Sequence, residues 1–111
     1  MLQLENNASL KDIQKEIMRL QKERGFSDNL MHVSLLLVEE VGEMLGQVRR
    51  QYVAGRDPLP EDNKSSLKHE IADVFILLNV LASCTGTDLE EAWRSKEKLN
   101  DCRDWQNVGG F

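Results

Sequence analysis

Apolar residues recur along this chain at helical spacing and predict four helices joined by polar segments. Leu10, Ile13, Ile17 and Leu20 form the first stripe, predicting a helix over about 9–24. Ser9 is its expected cap, Asp12 a capping-box-like partner and Gly25 its stop. A longer helix is expected over 29–54, capped by Asp28, stopped by Gly55, with Leu37, Val41, Met44, Leu45 and Val48 as its core stripe. The polar stretch 55–64 contains Pro58 and Pro60 and reads as a loop. A third helix is expected over 65–83, nearly all apolar from Ile71 onward. A fourth is expected over 88–104, with Thr87 and Glu90 spaced as a capping box. Residues 107–111 read as a tail, and no internal repeat is visible. The expectation is therefore a single all-α domain over 1–111, resembling a four-helix bundle.

Composition narrows what such a domain does. Hydrophobic residues make up 41% and charged residues 30%, a balance that fits a globular protein and not general disorder. Aromatics are only 5%, so the core must be aliphatic. The net charge of −5 gives no basic footprint for nucleic acid. A small anionic ligand would need a metal, or a local cluster of Lys and Arg. Neither Cys84 nor Cys102 has a Cys or His at zinc-ligand spacing. The start, 1–7, is polar, and the apolar stretch 74–82 is interrupted by Asn79 and too short to span a bilayer. A reduced cytoplasmic setting, with no membrane partner, is the expectation.

The informative segments are Val38-Glu39-Glu40-Val41-Gly42-Glu43 and Glu70-Ile71-Ala72-Asp73. Residues three or four apart share a helix face, so Glu40 pairs with Glu43, and Glu70 with Asp73, while Glu39 flanks the first pair. Asp73, Val74, Leu77 and Leu81 all lie on the Glu70 side of the third helix. That acidic pair is continuous with an apolar face, where carboxylates lose hydration and repel one another. A cation has to compensate, and oxygen-only ligands from two helices suit Mg²⁺, with Mn²⁺ as a substitute, better than Zn²⁺. Gly42 costs helix stability but leaves room for a neighbouring helix or a ligand. The plain alternatives are ordinary surface acids, or ion pairs with Arg49, Arg50 or Lys96. Such pairs could absorb one carboxylate but hardly four.

These two blocks resemble the MazG-like nucleoside triphosphate pyrophosphohydrolases, an all-α superfamily that includes dCTP pyrophosphatases and dimeric dUTPases. The family pattern is Glu-x-x-Glu, a variable spacer, then Glu-x-x-Asp, matched here by Glu40, Glu43, Glu70 and Asp73. The likeness runs over about 11–103. It implies that those four residues bind the metal, and that a basic and polar set on the last helix holds phosphates. Lys96, Asn100 and Arg103 match that set and share one helical face, with Arg94 and Lys98 as competitors and a solvated basic face as the plain reading. It also implies a dimer or tetramer with sites completed by neighbouring helices. A base pocket is implied near the first helix and the turn after it, for which Phe26 and Trp105 are candidates.

The expected function is Mg²⁺-dependent hydrolysis of (deoxy)nucleoside triphosphates between the α- and β-phosphates, in nucleotide-pool house-cleaning. Glu39 or Glu40 is the expected catalytic base. A phosphoribosyl-ATP pyrophosphohydrolase would show similar acid pairs. A di-iron bundle needs Glu-x-x-His, but His32 follows Asn29 by three and His69 follows Ser66. A non-enzymatic interaction module would have no reason to set Glu70 and Asp73 in an apolar stripe.

Overall fold

The structure, a computed structural model, describes residues 1–52 and 61–106, with the side chains of 61–65 outside the description. Those residues form α1 (Leu10–Glu23), α2 (Leu30–Tyr52), α3 (Glu61–Cys84) and α4 (Leu89–Asp101), without strands. The stop at Gly55, Pro58, Pro60 and the tail 107–111 lie outside the described residues. Helix α3 starts earlier than its apolar run, because the turns before Ser65 are helical without contributing to the hydrophobic pattern.

Capping chemistry sets the helix ends. Ser9 Oγ accepts from the Asp12 backbone N–H, as expected. The other two caps differ from the expectation by one residue each. Asn29, not Asp28, caps α2, its Oδ1 accepting from the N–H groups of Met31 and His32. Asp88, not Thr87, caps α4 through the Glu91 N–H, while Thr87 Oγ1 pairs with Thr85. In each case the capping residue is the Asx residue immediately before the first helical residue, the position from which a side-chain oxygen reaches the free N–H groups of the first turn.

Helices α1 and α3 end alike, on a left-handed glycine. Gly25 (φ 71°) lets Phe26 N–H return to the Gln21 carbonyl, and Gly86 (φ 70°) lets Thr87 N–H return to Ala82. An L side chain is strained there, so Gly25→Ala and Gly86→Ala are each expected to cost about 1–2 kcal/mol. Melting temperatures equal to wild type would refute this.

Helices α2 and α3 pack along each other, and α1 lies on α3. Ile17, Val33 and Val80 form the centre, flanked by Ile13, Met18, Ile76, Leu77, Leu81 and Cys84. Asn79 is fully buried opposite the acidic face and donates to the Phe75 carbonyl. Gln14 ties α1 to the α3–α4 corner, donating to Ser83 Oγ and the Thr87 carbonyl and accepting from Leu89 N–H. Helix α4 leaves α3 at 92° and packs chiefly on α1, so it does not run alongside the α2–α3 pair. No single described helix is long and apolar enough to cross a membrane. Two residues expected in the core are not there. Leu45 is 55% exposed and Val48 37% exposed, because α2 turns a second apolar stripe outward.

The segment before α1 is strapped down by charge. Glu16 accepts from Arg19 and from the Gln3 backbone N–H, which hold its carboxyl down to about 2. A carboxyl held below its unfolded value, ~4.3, stabilises the fold above that value and loses the effect as pH falls toward 2. Glu16→Gln is therefore expected to melt earlier than wild type at neutral pH, with the gap closing below about pH 4. A gap constant down to pH 2 would sink the assignment.

Candidate metal and active site

The α2–α3 pairing brings together the two acidic blocks. One carboxylate oxygen each from Glu40, Glu43 and Glu70 lie within 4.8 Å of one another. Glu40 Oε2 and Glu70 Oε2 are buried and have no hydrogen-bond partner among the described residues. The Glu40 carboxyl is pushed up to about 7, first by burial, then by its hydrogen bond to Glu70 and by the charges of Glu43 and Asp73. Among the described residues, no ion pair from Arg49, Arg50 or Lys96 neutralises the cluster. The donor set is all oxygen, converges from two helices and leaves buried lone pairs unused, which fits a hard divalent cation such as Mg²⁺.

Asp73 behaves differently from the expectation. It is exposed and stands outside the triad of close oxygens, though near enough to raise Glu40. The desolvation argument therefore holds for Glu40 and Glu70 but not for Asp73, whose place one turn along α3 turns it toward open solvent.

Two concavities flank the cluster. On the outer side of α2, Glu39, Gly42, Glu43, Gly46, Gln47, Arg50 and Glu70 line a groove of about 490 Å³. A Cβ at Gly42 or Gly46 would meet nothing within 4 Å, so both glycines face open space. Gln47 Nε2 is tied to Ser66 Oγ, while its Oε1 is buried and unpartnered. On the other side, a cleft of about 400 Å³ runs from Glu40 and Asp73 to the end of α1. Its floor is Val33, Leu36, Ile76, Leu77 and Val80, and its far wall is Gln21, Arg24, Phe26 and Ser27.

Phe26 is thus in the cleft, 59% exposed and available to a flat ligand. Trp105 is not. Its indole N–H donates to the Asn100 carbonyl, and Arg103 lies over its ring at 5.8 Å, closing the end of α4. Lys96 is exposed, and Asn100 donates to Glu97 while its Oδ1 is buried and unpartnered. Helix α4 packs chiefly on α1, and Lys96, Asn100 and Arg103 line neither of the two concavities beside the carboxylates. Gln21 and Arg24 were not legible as site residues. They look like ordinary polar positions on α1, and only the tertiary packing turns them into the cleft.

The model of the MazG nucleotide pyrophosphohydrolase domain matches residues 26–104. An uncharacterized protein of Bacillus subtilis, YpjD, is 35% identical over 89 residues, 78% of each chain. A dATP/dGTP diphosphohydrolase of Cyanophage S-2L is 38% identical over 69 residues, which are 62% of this chain and 51% of that protein. Both acidic blocks fall inside the matched region, in order and on adjacent helices, and the chain belongs to the MazG nucleotide pyrophosphohydrolase domain family.

Proposed function

We propose that this protein hydrolyses (deoxy)nucleoside triphosphates to the nucleoside monophosphate and pyrophosphate, with Mg²⁺ as cofactor, as a nucleotide-pool house-cleaning enzyme. The observation that carries the reading is the convergence of Glu40, Glu43 and Glu70, with buried unpartnered oxygens, beside a cleft that holds an aromatic ring. Glu40, Glu43 and Glu70 would hold the cation, joined by Asp73. Bound Mg²⁺ supplies charge neutralisation for the phosphates and acidifies water. Glu39, at the rim of the groove, or Glu40 accepts the proton of the attacking water and orients it toward phosphorus.

Lys96, Asn100 and Arg103 bind phosphate oxygens, as point charge, amide and planar fork. Since α4 of one chain lies on α1, this role requires a second copy, and we read the enzyme as a homo-oligomer whose sites are completed across the interface. Phe26 stacks on the base. The phage relative acts on dATP and dGTP, which favours deoxypurine substrates here.

The test is a panel of nucleoside triphosphates incubated with Mg²⁺, with separate detection of pyrophosphate and orthophosphate. Pyrophosphate with monophosphate is the expected pair. Orthophosphate with diphosphate, or no turnover with or without Mg²⁺, would overturn the reading.

A further inference from the structure

The far wall of the cleft carries polar groups that the fold itself does not use. Gln21 is half-buried and Arg24 exposed, and both line the cleft. Among the described residues, no hydrogen bond or ion pair engages either side chain. On the same helix, Arg19 is fully occupied by Glu16 and Glu23, so the freedom of Arg24 is not general to α1. Ser27 Oγ is taken by His32 and by the Asn29 N–H. The left-handed turn at Gly25 ties Phe26 N–H to the Gln21 carbonyl, so the backbones that carry ring and amide are held next to each other. The cleft is thus polarised: carboxylates at the α2–α3 end, free N–H donors at the α1 end, and an apolar floor between.

We infer that Gln21 and Arg24 read the N7 edge of a purine held in this cleft and thereby select purine over pyrimidine nucleotides. The inference rests on the function proposed above, in which the phosphates lie toward Glu40 and Asp73. That orientation directs the far edge of the base at α1. An edge that meets free donors must offer acceptors. Guanine presents O6 and N7 side by side, a match for a guanidinium, and adenine presents N7 beside its amino group, a match for an amide. N7 is common to both and absent from pyrimidines. The bicyclic ring also covers more of the apolar floor from Val33 to Val80 and more of Phe26 than a single ring does.

The decisive probe is a single-atom change in the ligand. 7-Deaza-dGTP and 7-deaza-dATP keep shape and stacking but lose the N7 acceptor. Wild type is expected to turn them over with kcat/KM about tenfold or more below dGTP and dATP, the scale of one lost hydrogen bond to a charged or preorganised donor. In Gln21→Leu/Arg24→Leu the deaza penalty is expected to vanish and dCTP to approach dGTP, while pyrophosphate release stays Mg²⁺-dependent. Melting curves check that the variant is folded. Equal kcat/KM for dGTP and 7-deaza-dGTP in wild type, or a deaza penalty unchanged in the double variant, would overturn the inference and leave the hydrolase reading intact. Should no nucleotide be hydrolysed, the function falls, and calorimetric binding of α,β-methylene-dGTP against its 7-deaza form decides the inference on its own. Tighter binding of the first supports it, and equal binding overturns it.

Discussion

Neutralising any one of Glu40, Glu43, Glu70 or Asp73 is expected to remove at least ~10²-fold of turnover, the scale on which a preorganised charge-stabilising group contributes to catalysis. Glu40→Gln, Glu43→Gln, Glu70→Gln and Asp73→Asn each delete a negative charge with little change of shape. The direction of their effect on the metal-free fold separates an enzyme site from a structural one. The Glu40 carboxyl is pushed up to about 7, chiefly by burial and by Glu70, so ionising it costs stability in the absence of metal. A group raised in the folded state stabilises below its unfolded value, ~4.3, and that stability is lost as pH rises through 7. Metal-free Glu40→Gln should therefore melt higher than metal-free wild type near pH 8, by on the order of 5 °C, whereas near pH 4 the two should melt at the same temperature. With millimolar Mg²⁺ the order should reverse, because the cation stabilises only the native state that binds it. Glu39→Gln should leave metal affinity nearly unchanged and still depress turnover if it is the base. Pyrophosphate release against Mg²⁺ concentration, with melting curves in EDTA, checks all of this. Asp73→Asn with wild-type turnover would remove Asp73 from the site, and Glu40→Gln with wild-type turnover would remove the site altogether.

The acidic blocks were legible because helical spacing is a local property. Glu40 and Glu43 share a face whatever packs on it, and the same holds for Glu70 and Asp73. Their depth was not local. Glu70 is half-buried and Asp73 exposed, although both share a helix face with the apolar run that begins at Ile71. Helix α2 shows the difficulty at larger scale. Val33, Leu37, Glu40, Met44 and Gln47 face the protein, while Met31, Leu35, Val38, Gly42 and Leu45 face outward, both at alternating spacings of four and three. Periodicity shows that apolar stripes exist, not which of two is inside, and Leu45 and Val48 were assigned to the wrong one. The place of α4 is equally non-local. Nothing in 89–101 says whether it turns toward the carboxylates or away, and the 92° corner after Gly86 decides it. The cleft that joins Gln21, Arg24 and Phe26 to Glu40 exists only because α1 ends over the α2–α3 pair.

Breaking the outward stripe of α2 should convert an oligomer into monomers. Met31 is 66% exposed, Leu35 62%, Val38 71% and Tyr52 74%, with Leu45 and Gly42 between them. Such a row of large apolar side chains on one helix is rare on a monomer surface. The occupant that fits best is a second copy of α2. A four-and-three spacing is the seam along which two helices interdigitate, and Gly42 at its middle has no side chain to hold a second backbone away. A self-complementary stripe also supplies the two-fold contact most homo-oligomers use. Leu35→Glu and Val38→Glu put a charge in the seam, where it would be buried without a partner. Each is expected to weaken association by ~10²-fold or more, the scale of several kcal/mol for an unpaired buried charge. Val33→Ala, on the opposite face and 1% exposed, should instead lower the melting temperature without touching the association state. Sedimentation at micromolar concentration separates the two outcomes, with circular dichroism as the folding control. If assembly also brings Lys96, Asn100 and Arg103 to the carboxylates, the monomeric variants should lose turnover while keeping their helices. A wild-type chain that sediments as a monomer, or monomeric variants with full activity, would show that one chain completes the site by itself.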